Sequence, residues 1–184
     1  MRKAQWSVGL TLVMAALISS AVFSATAPDD SVVVDADICA VLSNPFEFDH
    51  KLLRITGLIV RDFETFWIEN PKCPDASPLW IEYGGPKPAD GIVWHERPTD
   101  PPEDATLVIE GIKTSLVADV QFRRFDLITK SLKRGKRVRA TLIGWIVAGG
   151  VEKDDAGNEQ DVGYGPYRMY SLLVIKKVDA VSRR

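Results

Sequence analysis

The sequence predicts an all-β domain with one or two helices, closed as a small five-stranded Greek-key barrel. Three runs with a period of two fill Lys51–Tyr83, the pattern of a half-buried antiparallel meander. An amphipathic helical segment follows at Asp119–Arg134, and two further β-rich runs follow it at Lys136–Ala148 and Tyr170–Val178. Three strands, a helix and two more strands are the order of a small Greek-key barrel.

The first 27 residues have the pattern of a signal peptide. A basic start, Arg2-Lys3, precedes the uncharged apolar run Val8–Val22, which is too short for a typical membrane-spanning helix. Small residues place cleavage after Ser24 or after Ala27, and an uncleaved anchor is the alternative. We therefore expect an exported protein, periplasmic or secreted, with its domain in residues 28–184 and no membrane span after cleavage.

Composition is that of a globular protein and does not favour a polyanionic partner. The 184 residues are 46% hydrophobic and 26% charged, and the net charge is −2. Loss of Arg2 and Lys3 with the signal peptide changes the net charge to −4. A mildly acidic chain has no overall field that attracts nucleic acid or anionic lipid.

The chain has two cysteines, Cys39 and Cys73. In an oxidising compartment a single disulfide is the simplest account of them, and it stabilises the fold by roughly 3–4 kcal/mol in the chain-entropy view. It would tie the segment before the first strand to the loop after the second. A redox-active or nucleophilic thiol needs a C-x-x-C pair or a nearby base, and neither is apparent.

Local signals define the elements before the meander. Ser31–Asp35 is short and β-branched, which favours an extended lead-in. Asp37 is placed to cap a short helix, Ile38–Ser43, and Asn44-Pro45 ends it.

Alternation assigns the two faces of the meander. Phe66, Ile68, Leu79 and Ile81 point into the barrel, so Trp67, Glu69, Trp80 and Glu82 point out of it. Along the first strand, Leu53, Ile55 and Ile59 share the inner face, and Arg54 and Thr56 share the outer one. Gly57 interrupts this alternation and indicates a bulge or a strong coil.

The region after the meander is divided by turn-forming residues. A proline-rich insertion at 84–105 contains one apolar cluster, which we expect to pack Trp94 onto the body. Thr106–Val117 forms one or two strands around Gly111. Asp119 caps the helix and Gly135 stands at its end. Residues 152–161 form a polar loop.

This order of elements is that of an OB-fold, and the chain resembles small exported bacterial OB-like proteins of unknown function. The residues that carry the resemblance are Ile38–Pro45, Lys51–Gly57, Cys73, Trp80-Ile81, Phe122–Phe125 and Arg139–Gly144. The resemblance covers most of the mature chain, and its motifs are structural, so it implies a fold and no activity. Such sequences carry a Gly-x-Gly-His near the last strand. Here Gly163-Tyr164-Gly165-Pro166 lacks that histidine.

Enzymatic and metal chemistry have few candidate residues in this sequence. Its two histidines, His50 and His95, are isolated and do not make a zinc site, and neither has a recognisable nucleophile beside it. The acidic loop Glu152–Asp161 lacks the ligand order of a calcium loop. We expect no catalytic residue, no cofactor and no metal.

A basic run at Arg123–Arg139 raises the question of nucleic acid. It holds eight lysines and arginines and one acid, Asp126. Single-strand binders interleave such charge with stacking aromatics on strands, whereas Phe122 and Phe125 belong to the apolar stripe of the helix. Cations at a helix C-terminus also complement its dipole, so a solvated face is favoured and a nucleic-acid partner is not expected.

One surface remains as a candidate ligand site, the outer face of the second and third meander strands. In OB-folds this face is the usual ligand surface. The candidate residues are Arg54, Trp67, Glu69, Trp80 and Glu82. Tryptophans beside carboxylates suit an unidentified protein or glycan better than phosphate. The alternative is that the N-terminal segment or the proline-rich insertion covers both rings.

The sequence therefore predicts a non-enzymatic exported binding or envelope-associated module. An oligosaccharide- or oligonucleotide-binding OB domain is the second interpretation. The exposure of Trp67 and Trp80 distinguishes the two.

Overall fold

The computed structural model describes residues 32–62, 65–86, 89, 106–149, 151–153, 157, 159–161, 163–165 and 168–182. The predicted signal peptide lies outside these residues, and so do most of the proline-rich insertion, Trp94 and His95. Within the described ranges, no helix has the length and apolar character that crossing a membrane requires.

The secondary structure follows the predicted order. Its elements are β1 (Val34–Asp35), α1 (Ile38–Ser43), a 3-10 turn (Pro45–Phe48), β2 (Leu52–Arg61), β3 (Phe66–Glu69), β4 (Leu79–Tyr83), β5 (Leu107–Ile109), β6 (Ile112–Thr114), α2 (Val120–Lys130), β7 (Val138–Val147), β8 (Val151–Lys153), β9 (Glu159–Asp161) and β10 (Leu172–Ser182).

Five of these strands close into a barrel. Their order is β2-β3-β4-β10-β7, and β7 pairs back with β2. The β4–β10 pair is parallel and the other four pairs are antiparallel. This mixed barrel, with α2 between its third and fourth strands in the chain, confirms the predicted fold class and is consistent with an OB-like barrel.

Both helices begin at the predicted caps. The Asp37 carboxylate accepts hydrogen bonds from the backbone N–H of Cys39 and Ala40 at 2.9 and 3.1 Å. Asp119 accepts one from the N–H of Phe122 at 2.9 Å. The second helix ends at Lys130, before the predicted end at residue 134, because the chain turns at Ser131 and reverses through a second turn in which Gly135 has φ +75°.

Gly57 corrects one expectation, since the register of β2 against β7 runs through it without a shift. A Cβ at this position would lie 2.6 Å from Cγ1 of Ile68. Gly57 is therefore a point of close approach inside the barrel and not a bulge.

The wall of the barrel separates two apolar cores. The inner core holds the inward residues of the strands, such as Leu53, Ile68 and Ile146, together with Val41 of α1 and Phe125 of α2. The second core lies outside the wall and contains Trp80, Trp145 and Val174. The β5–β6 hairpin packs over it with its own buried apolar residues, Leu107, Ile109 and Ile112.

The polar region 152–161 is described mainly at its two ends. Its ends form the short antiparallel β8–β9 hairpin, in which Glu152 lies opposite Gln160. Residues 151–153 and 159–161 are thus the two arms of a hairpin.

Candidate functional site

The two tryptophans of the predicted ligand face are neighbours, as alternation requires. Trp67 lies opposite Trp80 in the β3–β4 register, and the ring centroids are 6.2 Å apart. Their exposure differs, because Trp80 is 0% exposed and Trp67 is half-buried. The face is therefore outside the barrel but is not an open surface.

Segments from the end of the chain cover Trp80. The Tyr170 ring lies 5.8 Å from that of Trp80 and 6.1 Å from that of Trp67. Gly165, at φ +69°, lies so close that a Cβ would be 2.7 Å from Cε3 of Trp80. We call Gly163–Gly165, Tyr170 and the β5–β6 hairpin the aromatic cover. We expected the N-terminal segment or the proline-rich insertion as the alternative to an open face. Val33 of the N-terminal segment does pack against the same outer core, and most of the insertion lies outside the described residues.

A polar contact holds the parts of the cover together. The Tyr164 hydroxyl donates a hydrogen bond to Oε1 of Glu110 at 2.6 Å, and Nε2 of His50 lies 3.4 Å from the other oxygen of that carboxylate. Burial, and then the bond to Glu110, raises the pKa of Tyr164 above its usual value. The tyrosine is thus a neutral donor that joins the 163–165 segment to the hairpin.

Glu82 has a structural role in place of the predicted one. It is 0% exposed, and its Oε1 accepts hydrogen bonds from the N–H of Tyr83 and of Ala89, both at 2.7 Å. Arg61 donates to the carbonyl oxygen of Ala89 at 2.7 Å. These bonds fix the start of the proline-rich insertion, so Glu82 has no access to a ligand in this structure.

Glu69 is engaged on both oxygens. It accepts a hydrogen bond from Nε1 of Trp67 at 3.1 Å and one from Nε of Arg137 at 2.5 Å. The bond from Trp67 orients its half-buried ring, and the ion pair with Glu69 neutralises Arg137 of the basic run.

Arg54 lies apart from the tryptophans, towards the start of β2. Its guanidinium donates to Asp179 at 2.8 Å and to Asp35 at 3.0 Å, and these carboxylates raise the pKa of Arg54 above its usual value. The structure thus brings three of the five predicted site residues together, Trp67 and Glu69 of β3 and Trp80 of β4. Glu82 lies buried on β4, and Arg54 lies apart from the tryptophans, on β2.

Arg54 belongs to a second surface feature, which sequence reasoning missed. It is an open groove of about 740 Å³ on the outside of β2. Its lining residues are Asp35–Cys39 on one wall, Asn70–Lys72 on the other, Arg54, Thr56 and Leu58 on the floor and Arg139 at the rim. We call this groove the notch.

The strand register explains the notch. One edge of β2 pairs with β7 over Leu52–Ile59. On the other edge, β1 pairs with Leu53 and Arg54, and β3 pairs with residues 58–61. Thr56 lies between these two partners, so the sheet has a gap there.

The disulfide ties the two walls of the notch together. Cys39 of α1 and Cys73 are bonded, with their Cα atoms 5.6 Å apart, which confirms the predicted pairing. The side-chain amide of Asn70 also lies 3.5 Å from Sγ of Cys39. The segments that carry the two walls are therefore covalently linked.

The acidic residues at the notch have partners within the protein, whereas two of its basic residues have none in the described part of the chain. Asp35 pairs with Arg54, and Asp37 caps α1. Arg139 and Lys72 are exposed, and their side chains have no ion pair or hydrogen bond with any residue that the structure describes. Alternation along β7 places Arg139 outward beside Leu58, a signal that the sequence contained.

A second groove of about 640 Å³ lies on the other side of the disulfide, lined by Cys73, Pro74 and Met169 among others. Lys72 borders both grooves, whereas Arg139 borders the notch and is not among the described residues that line the second groove. Among the described residues there is no group of three or more His, Cys, Asp or Glu side chains arranged to hold a metal ion.

Comparisons with known protein families, with curated proteins and with solved structures find no match to this chain.

Proposed function

We propose that this protein is a non-enzymatic exported binding module, and that its ligand binds in the notch and not over the tryptophans. The observation that carries the proposal is the gap in the sheet at Thr56, whose walls are joined by a disulfide. A groove that is held open covalently is preorganised, and preorganisation lowers the cost of binding.

Two observations support export. The disulfide is a bond that persists in oxidising compartments, and the first 27 residues have the signal-peptide pattern. The intact mass of the protein from its native envelope tests this part, since residues 1–24 or 1–27 are expected to be missing. A mass that retains them contradicts it.

Filling the notch tests the binding site. In Leu58→Trp an indole ring replaces the smaller leucine side chain on the floor of the notch. Arg139→Trp places the same ring at the exposed rim and is used if Leu58→Trp does not fold. Val108→Trp adds the same ring at an exposed position on the β5–β6 hairpin and is the matched control. The full-length oxidised proteins are immobilised, exposed to envelope extract and compared by what they retain.

We expect one species that the wild type and Val108→Trp retain and that the folded notch variants lose. Equal retention by all variants would exclude the notch as the site. If no variant retains any species above a blank matrix, the binding function itself is wrong.

Oligosaccharide binding is the second candidate, favoured by the half-buried rings of Trp67 and Tyr170 on the usual OB ligand face. Aromatic rings beside a carboxylate are suited to a sugar. In the same experiment, loss of the retained species in Trp67→Ala but not in Leu58→Trp would favour this candidate.

A further inference from the structure

We infer, on the basis of the proposed function, that the ligand of the notch is an extended acidic polypeptide segment. The first argument is charge. The two acids at the notch are already engaged, Asp35 by Arg54 and Asp37 by the amides of α1. The cations Arg139 and Lys72 have no such partner among the described residues. The uncompensated charge of the notch is positive although the whole chain is acidic.

The second argument is the strand edge. Thr56 lies between the partners β1 and β3, so the floor of the notch includes a short unpaired sheet edge at residues 55–57. Extended peptides bind such edges through main-chain hydrogen bonds, and flanking side chains give specificity. Arg139 is well suited to a carboxylate because its planar guanidinium forms two parallel hydrogen bonds.

The third argument separates a polypeptide from a nucleic acid. Single-strand binders stack bases on aromatic rings, and the described residues that line the notch include no Trp, Tyr or Phe. It has the apolar side chain of Leu58 and the amide of Asn70, which suit a peptide in which acidic and apolar residues alternate.

The experiment uses the full-length oxidised protein and fluorescence anisotropy. The probe is a labelled ten-residue peptide of alternating Val and Glu, compared with the same peptide carrying Gln for Glu. A ten-nucleotide oligothymidylate and a galacturonic acid hexamer carry the same sign of charge on other backbones. We expect the acidic peptide to bind at least ten-fold more tightly than the other three, and more weakly as salt increases.

Matched variants locate the binding. Arg139→Gln is expected to weaken the acidic peptide by about five- to ten-fold, the size of one charge-assisted pair. Arg124→Gln removes another exposed cation, on α2 and outside the notch, whose side chain has no partner in the described parts of the chain. This control is expected to stay within two-fold of the wild type.

The outcomes separate the ligand class from the function. Equal losses in the two variants would mean attraction to general surface charge and would overturn the inference. The inference would also be overturned if the oligothymidylate or the galacturonic acid hexamer, and not the acidic peptide, showed binding that depends on Arg139. If the acidic peptide fails but Leu58→Trp still loses an envelope species, the ligand class is wrong and the proposed function stands.

Discussion

The covered aromatic cluster and the open notch lie on the same barrel wall and differ in what surrounds them. At the cluster, Trp80 points outward from β4 and is fully buried under Tyr170 and Gly165. At the notch, Arg139 and Thr56 also point outward, from β7 and β2, and line an open groove. Alternation along a strand therefore decides the side of the wall and not the exposure to solvent.

The chemistry of the outward residues accounts for the difference. Burying a tryptophan side chain removes a large apolar area from water and stabilises the folded state. A segment that packs over two adjacent tryptophan rings is therefore stabilised by that contact. Charged side chains such as Arg139 lose hydration when covered without a partner. The apolar part of the wall is thus covered by the chain, and the charged part stays open.

The largest expected effect tests the buried side of this comparison. Trp80→Ala should cost about 3–5 kcal/mol of folding free energy, because the ring is fully enclosed. Trp67→Ala, at a half-buried ring, should cost about half as much on the same scale. Guanidinium unfolding of both variants measures this. Equal costs would show that the cover protects both rings to the same extent and would remove the contrast.

An intermediate effect is expected at Gly165, where the cover meets the Trp80 ring. Gly165→Ala combines a positive φ with a Cβ 2.7 Å from the ring. Gly111 has a similar positive φ, +80°, with nothing near its added Cβ, so Gly111→Ala measures the backbone cost alone. That cost should be about 1–2 kcal/mol.

Gly165→Ala should exceed it by about 1–3 kcal/mol, the usual range for overpacking. Thermal and urea unfolding give both values. If the two alanine variants are equally stable, the 163–165 segment does not press on Trp80 in solution.

The smallest expected effect on stability is at Asp179, which forms an ion pair with Arg54 on the floor of the notch. Burial tends to raise the pKa of Asp179, but hydrogen bonds from Lys177 and Arg54 outweigh it, so the pKa lies below its usual value. A carboxyl whose pKa is depressed in the folded state stabilises the fold above its unfolded pKa, about 3.9. This contribution is lost as the pH falls through the folded value.

Asp179→Asn should therefore destabilise the protein at pH 7, by no more than about 1 kcal/mol for a partly exposed pair. The difference from the wild type should shrink below about pH 4, where the wild-type carboxyl becomes protonated in the unfolded chain. Urea unfolding across pH measures it. Asp75→Asn, at an exposed carboxylate, is the control. A difference that grows in acid would contradict the assignment.

The predictable parts of the fold depend on short-range signals. Asp37 and Asn44-Pro45 fixed the bounds of α1, and alternation fixed the faces of β2, β3 and β4. The pairing of Cys39 with Cys73 followed from the presence of only two cysteines and an expected oxidising compartment.

The site was harder to predict because its determinants are far apart in the chain. No local pattern in Gly163–Gly165 or Tyr170 indicates contact with Trp80, and the register gap at Thr56 depends on where two other strands stop. Trp80 and Glu82, two of the candidate ligand residues, are buried in this structure, which for Trp80 agrees with the covered alternative. Whether Arg54, Trp67 and Glu69 bind a ligand stays a prediction.

The disulfide makes the notch a product of oxidation as well as of folding. One wall is carried by α1 and the other by the loop that contains Cys73, and the bond between them completes the groove. A chain with both thiols reduced lacks this tie, and we expect its two walls to separate more easily. Peptide anisotropy with and without reductant measures the dependence, and equal affinity would show that packing alone holds the walls. If affinity is lost with reductant, the proposed binding is confined to compartments in which thiols are oxidised, and oxidation acts as its switch.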